Sequence, residues 1–228
     1  MSACNNCNVY YNCKKYKLSE YVSSDYCVRQ FKMNALFDMS LLTDRQRRWL
    51  PLRYDADGTD RDQFVRLNEI AQNASTFVEN SSSLYLYSMG CGNGKTSWSV
   101  RIIQEYIRQI WYKVDLTPKV LFINVPKFFL MLKDNITKQN DYIAHIKEYA
   151  ATCDLVVWDD IGTKMGTEFE VENLLNIINN RIDAGKANIY TSNITPDQLR
   201  ARVGDRLYSR IVNMSEVIEL RGADKRGI

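Results

Sequence analysis

With 228 residues, 45% of them hydrophobic, the chain is long enough to hold one full core and a small appended module. Its 30 Lys and Arg against 27 Asp and Glu leave a formal net charge of only +3, which excludes bulk attraction as a basis for nucleic-acid binding and leaves any DNA contact to local placement of charge. No apolar run is long enough to span a membrane, no secretory hydrophobic region opens the chain, and the single histidine, His145, excludes a catalytic triad or a His-rich metal centre, so a cytoplasmic setting is expected.

Cys4, Cys7, Cys13 and Cys27 open the chain with the spacing C-x2-C-x5-C-x13-C, and the residues between them are polar and aromatic. A segment so poor in aliphatics gains its order most readily from a metal, and four thiolates around Zn²⁺ make a closed structural site. Disulfides and four unrelated thiols are the alternatives, of which a reducing cytosol disfavours the first. Phe31, Ala35, Leu36 and Met39 predict the apolar face of a following helix, which Leu50 and Pro51 break. Residues 1–54 therefore read as an N-terminal cysteine and helical module. The polar, turn-rich residues 55–62 read as a linker, and residues 63–228 as the main domain, entered by a helix carrying Phe64, Leu67, Ile70 and Ala71.

Residues 84–87 predict a short buried strand running into a glycine-rich turn with Gly90, Cys91, Gly92, Asn93, Gly94, Lys95, Thr96 and Ser97. Glycines let backbone N–H groups converge on phosphate oxygens, Lys95 reaches the outer phosphates, and the Thr96 hydroxyl suits Mg²⁺. The pattern G-x-x-x-x-G-K-[ST] is departed from at its first position, where Met89 stands. Trp98, Ile102, Ile103, Tyr106, Ile107, Ile110 and Trp111 recur at helical spacing, so the turn opens a helix whose positive end faces the phosphates. A flexible turn between two core elements is the bland alternative. Cys91 and Cys153 have no C-x2-C partner and read as small residues that fit.

Further along, residues 120–125 predict a second inner strand with Pro126 opening a helix, and residues 154–158 a third. Asp159 and Asp160 emerge where ligands sit in open α/β sheets, Asp159 to hold Mg²⁺ and Asp160 to orient or deprotonate an attacking water. Two solvated acids at a strand end would look the same. Val171, Leu174, Leu175 and Ile178 predict an amphipathic helix over 168–180. Residues 187–193 form another short strand, ending in Thr191, Ser192 and Asn193 before a helix begun by Thr195 and Pro196. Asn193 is then placed to bond a γ-phosphate or the lytic water. Arg206 and Arg210 share one helical face, and residues 217–220 close the series. Strands alternating with helices make a parallel, three-layer α/β sheet.

With these motifs in this order, the chain resembles the AAA+ helicase loaders of the DnaC/DnaI type over about residues 60–228, and shares much of the pattern with IstB-type transposition ATPases. The resemblance implies a P-loop AAA+ (ASCE) fold, a five-stranded parallel sheet of order 5-1-4-3-2, no C-terminal helical lid and an N-terminal zinc module. It also implies ATP and Mg as cofactors, ATPase activity that depends on oligomer formation and single-stranded DNA, Arg210 as a finger acting across subunits with Arg206 beside it, and Arg226 as a second sensor. Single-stranded DNA would meet Lys127, Phe128, Phe129, Lys133 and Lys138, although these aromatics suit packing on the sheet equally well. The expected role is loading of a hexameric DnaB-type replicative helicase onto single-stranded DNA. The alternatives are an IstB-like transposition ATPase and a nucleotide-gated helicase-binding module without significant hydrolysis.

Overall fold

In the computed structural model, residues 28–48, 51–55, 57–137, 141–163 and 166–225 are described. Five parallel strands form one sheet: β1 (Ser83–Tyr87), β2 (Val120–Asn124), β3 (Leu155–Asp159), β4 (Ala187–Ser192) and β5 (Glu216–Glu219). Their spatial order is β2-β3-β4-β1-β5, the order expected from the resemblance. Nine helices among the described residues surround it: α1 (Val28–Asp38), α2 (Asp44–Arg47), α3 (Arg61–Gln72), α4 (Ala74–Glu79), α5 (Lys95–Ile110), α6 (Val125–Thr137), α7 (Asp141–Thr152), α8 (Glu168–Asp183) and α9 (Pro196–Ile211).

Alternation along each strand explains the layers. Leu84, Leu86, Val120, Phe122, Leu155, Val157 and Ile189 face one side, where α1, α3, α4 and α5 cover them through residues such as Met33, Leu67, Phe77 and Ile103. Tyr85, Leu121, Ile123, Val156, Trp158 and Tyr190 face the other, beneath Phe128, Ile146, Leu174 and Leu207 of α6 to α9. Burial on both faces accounts for the near-continuous apolar runs read in the sequence. In α1 the buried face is Met33, Leu36 and Phe37, whereas Phe31 is exposed, so the stripe lies to one side of the one expected.

Local chemistry fixes the helix starts. Thr167 with Glu170 and Thr195 with Gln198 form reciprocal capping boxes that begin α8 and α9, and Pro196 sits in the first turn of α9. Gly204 interrupts α9 at φ 78° and ψ 164°, a kink that sets the course of the half carrying Arg206 and Arg210. No helix among the described residues is long and apolar enough to cross a membrane.

Candidate functional site

The carboxyl ends of β1, β3 and β4 lie side by side in the sheet, and the polar residues of the site sit there. Ser88 leaves β1 with its N–H on the carbonyl of Ser192, and its hydroxyl accepts from the Gly90 N–H. The turn then passes through Gly92 and Gly94 at φ 77° and 101°, values open to glycine and strained for other residues. Met89 needs no such freedom, because its φ is not positive and its side chain points to solvent; the departure from the usual glycine is therefore accommodated. Lys95 is buried, and its Nζ donates to the Gly90 carbonyl at 3.0 Å, which holds the ammonium inside the turn. Ser97 is part-buried in the first turn of α5, and Cys91 is exposed.

Thr96 Oγ1 donates to Asp159 Oδ1 at 2.9 Å, and Thr191 Oγ1 donates to the same oxygen at 2.8 Å. The first helical hydroxyl after the loop is thereby coupled to the acid at the end of β3. Asp160 turns away in the left-handed region at φ 61°; its N–H donates to Thr191 Oγ1, and its Oδ1 accepts from Asn193 Nδ2 at 2.9 Å. Asn124, at the end of β2, reaches both acids with Nδ2 3.4 Å from each. Burial, and after it the charge of Asp160, pushes the Asp159 carboxyl above its ordinary range, while hydrogen bonds from Thr191, Thr96 and Asn124 act in the opposite sense. A buried carboxylate with a second one at the next residue is a setting that favours a divalent cation.

The donor set fits a Mg-nucleotide: a glycine cradle, an enclosed ammonium, and a hydroxyl and carboxylate within 2.9 Å of each other. Beside it stand Tyr54, Phe64 and Trp98, packed edge to face at 5.4 and 5.2 Å.

The other expected residues fall elsewhere. Arg206 and Arg210 line a cleft of about 570 Å³ between α8 and α9 with Asn176, Asn179 and Ser209, a cleft that includes no residue of the glycine turn or of β3. Lys127 borders a second cleft of about 470 Å³ that reaches Asn124 and Asp159 and also includes Arg45 and Tyr142. Lys133 pairs with Glu170 at 3.4 Å. Phe128 and Phe129 correct the expectation of base stacking: they are 2% and 5% exposed, because the apolar face of α6 packs on the sheet. Cys4, Cys7, Cys13, Cys27, Lys138 and Arg226 lie outside the described residues.

Asn124 and Thr191 were not among the site residues expected from sequence. For Asn124 the signal was a polar residue ending an otherwise apolar inner strand, the same signal that marked Asp159; Thr191 lay in the polar run 191–193 that ends β4. Asp55 and Asp60, in the segment read as a linker, accept hydrogen bonds from the chain beyond β5, a contact spanning more than 160 residues that no local pattern announces.

A five-stranded parallel sheet in this order, with a glycine-rich loop after β1 and an acid pair after β3, is a P-loop α/β fold of the AAA+ type. The family described as IstB-like ATP binding protein matches residues 22–227, and the chain belongs to that family. Among solved structures, DnaI is similar with a TM-score of 0.62 and 20% identity, over 82% of this chain and 95% of that one. The DnaC helicase loader is similar at 0.59 and 18%, over 76% and 94%. The replication initiator DnaA bound to AMPPCP and single-stranded DNA is similar at 0.57 and 19%, over 79% of this chain and 51% of that one. A search of curated proteins returns no significant match.

Proposed function

We propose that this protein is an ATP-dependent loader of a hexameric DnaB-type replicative helicase, acting on single-stranded DNA. The observation that carries this reading is the joined set Lys95, Thr96, Asp159, Asp160 and Asn193 at one end of the sheet, in a fold shared along nearly the full length of the DnaC and DnaI chains. Bound Mg-ATP would supply a cleavable phosphoanhydride and the charge that polarises it. Gly90, Cys91, Gly92, Asn93, Gly94, Lys95 and Ser97 would hold the phosphates, and Thr96 and Asp159 the cation. Asp160, oriented by Asn193 and Asn124, would accept the proton of an attacking water.

Arg210, with Arg206, lines a cleft apart from its own chain's phosphate loop, which supports a role at the nucleotide of a neighbouring subunit and hence turnover that depends on assembly. Arg226 would act as the second sensor. Lys127, Lys133 and Lys138 would meet DNA phosphates, and Cys4, Cys7, Cys13 and Cys27 would bind zinc in a module that engages the helicase. Elemental analysis of the full chain showing no zinc would reject that last assignment.

Co-purification of the full chain with a replicative helicase, with and without ATP, tests the function. Recovery of the helicase that responds to ATP is expected, and no recovery in either condition contradicts it. Membership of the IstB-like family favours a second reading, a transposition ATPase, for which a parallel co-purification with a transposase would succeed where that with the helicase fails.

A further inference from the structure

Because β5 lies beside β1 and runs parallel to it, the chain leaving β5 emerges next to the glycine turn that leaves β1. Residues 221–225 cross that turn. Asn93 Nδ2 donates to the Gly222 carbonyl, and the Lys225 N–H donates to the Gly92 carbonyl at 3.0 Å. The Asp224 carboxylate lies so close over Gly92 that a Cβ there would collide with it. A negative side chain thus rests against the loop that is built to take phosphates.

Two carboxylates hold this tail in place. Asp60 accepts from the Arg221 N–H at 2.8 Å and from the Gly222 N–H at 2.7 Å, and Asp55 accepts from the Ala223 N–H at 2.8 Å. Lys225 Nζ stands 3.5 Å from Asp55. Asp60 immediately precedes α3, yet its side chain makes no capping bond to it, and its backbone is left-handed at φ 63°. Its carboxylate is turned away from its own helix toward the tail, and only 8% of the residue is exposed. A Cβ on Gly222 would stand 2.5 Å from Asp55 Oδ2 and 2.8 Å from Asp60 Oδ2, so the approach requires glycine.

We propose that Asp55 and Asp60 are positioning residues of the nucleotide site: they pin the tail at Gly222 and Ala223 so that Asp224 competes with the phosphates of the incoming nucleotide for the space over Gly92. This rests on the nucleotide reading given above. Triphosphate binding displaces Asp224 and Lys225 while the pinned root stays, so that occupancy of the loop is reported by the end of the chain. The segment before α3, the tail and the phosphate loop then act as one unit.

Hydrogen exchange of the full-length protein, read together with calorimetric titration of Mg-ATP, tests this. Without nucleotide, Asp60→Asn should lose at least about tenfold protection at the Arg221 and Gly222 amides, with Asp55→Asn doing the same at Ala223. Wild-type protection at those positions in both variants overturns the clamp. Mg-ATP should expose the Lys225 amide of the wild type and leave Arg221 and Gly222 protected; unchanged or stronger protection of Lys225 overturns the displacement. Asp224→Asn, at an exposed residue, should bind Mg-ATP about three- to tenfold more tightly by removing one like charge, and equal or weaker binding overturns the competition. A wild type that binds no nucleotide, with Asp60-dependent protection intact, contradicts the nucleotide reading and the role of Asp224 while the clamp stands.

Discussion

Asp159 combines deep burial, a second acid one residue away and three hydrogen-bond donors, and its raised pKa records that burial and repulsion outweigh the donors. A carboxyl whose folded pKa exceeds its unfolded one binds protons more readily when folded. Its contribution to stability is therefore greatest at low pH and falls as pH rises from about the ordinary carboxylate value through the folded one. In metal-free buffer at neutral pH, Asp159→Asn is expected to raise the thermal midpoint. Mg²⁺ should then raise the midpoint of the wild type and not that of the variant. A variant that melts lower than wild type without metal would show that the hydrogen bonds from Thr96 and Thr191 outweigh burial. Asp159 was legible in the sequence because two acids ended an apolar run. Its partners Thr191 and Asn124 were less so, since polar residues at a strand end are also compatible with a solvated turn.

Two features of single elements bear on the site from a distance. Gly204 kinks α9 at a backbone conformation open essentially only to glycine, and no atom stands within 4 Å of where its Cβ would be. Gly204→Ala is expected to cost about 1–3 kcal/mol from backbone strain alone, measured by denaturant unfolding; relief of that strain by straightening the helix would carry Arg206 and Arg210 to new positions. Arg181, in the last turn of α8, is fully buried. It donates to the carbonyls of Ala150, Cys153 and Ala187 and to Asn188 Oδ1, which also accepts from Trp158 Nε1, and so ties α7 and α8 to β3 and β4. Arg181→Met should destabilise by about 3–5 kcal/mol because several buried acceptors lose their donor; a loss under about 1 kcal/mol in urea unfolding would contradict this. The helical periodicity of α8 was plain, and nothing in it marked Arg181, since basic residues near helix ends are ordinarily solvated. Phe128 and Phe129 show the complementary ambiguity: aromatics beside lysines suit a nucleic-acid face or a core, and the pleat of the sheet decided for the core.

Across the whole molecule, the strand order places the ends of β1, β3 and β4 together, and with them the loop, the acids and Asn193. The strands and their parallel pairing followed from apolar runs separated by helical periods, whereas their spatial order came from the resemblance. Contacts closed by topology alone, such as Asp60 with the tail, had no local signature. Arg206 and Arg210 stand apart from their own chain's loop, and this separation has a kinetic consequence. Arg210→Ala should bind ATP and lose hydrolysis, Asp160→Asn should do likewise, and mixing the two should restore part of the activity if the arginine serves a neighbour. Additive, inactive mixtures would place the arginine's role within its own chain or outside hydrolysis. The central claim is more elementary still, that the loop between β1 and α5 grips a nucleoside triphosphate. Calorimetric titration of Mg-ATP into the wild type and into Lys95→Ala tests it most directly. Binding of about one nucleotide per wild-type chain, with none by the variant, is the expected result; no heat from the wild type, or equal affinity in the variant, would contradict the account.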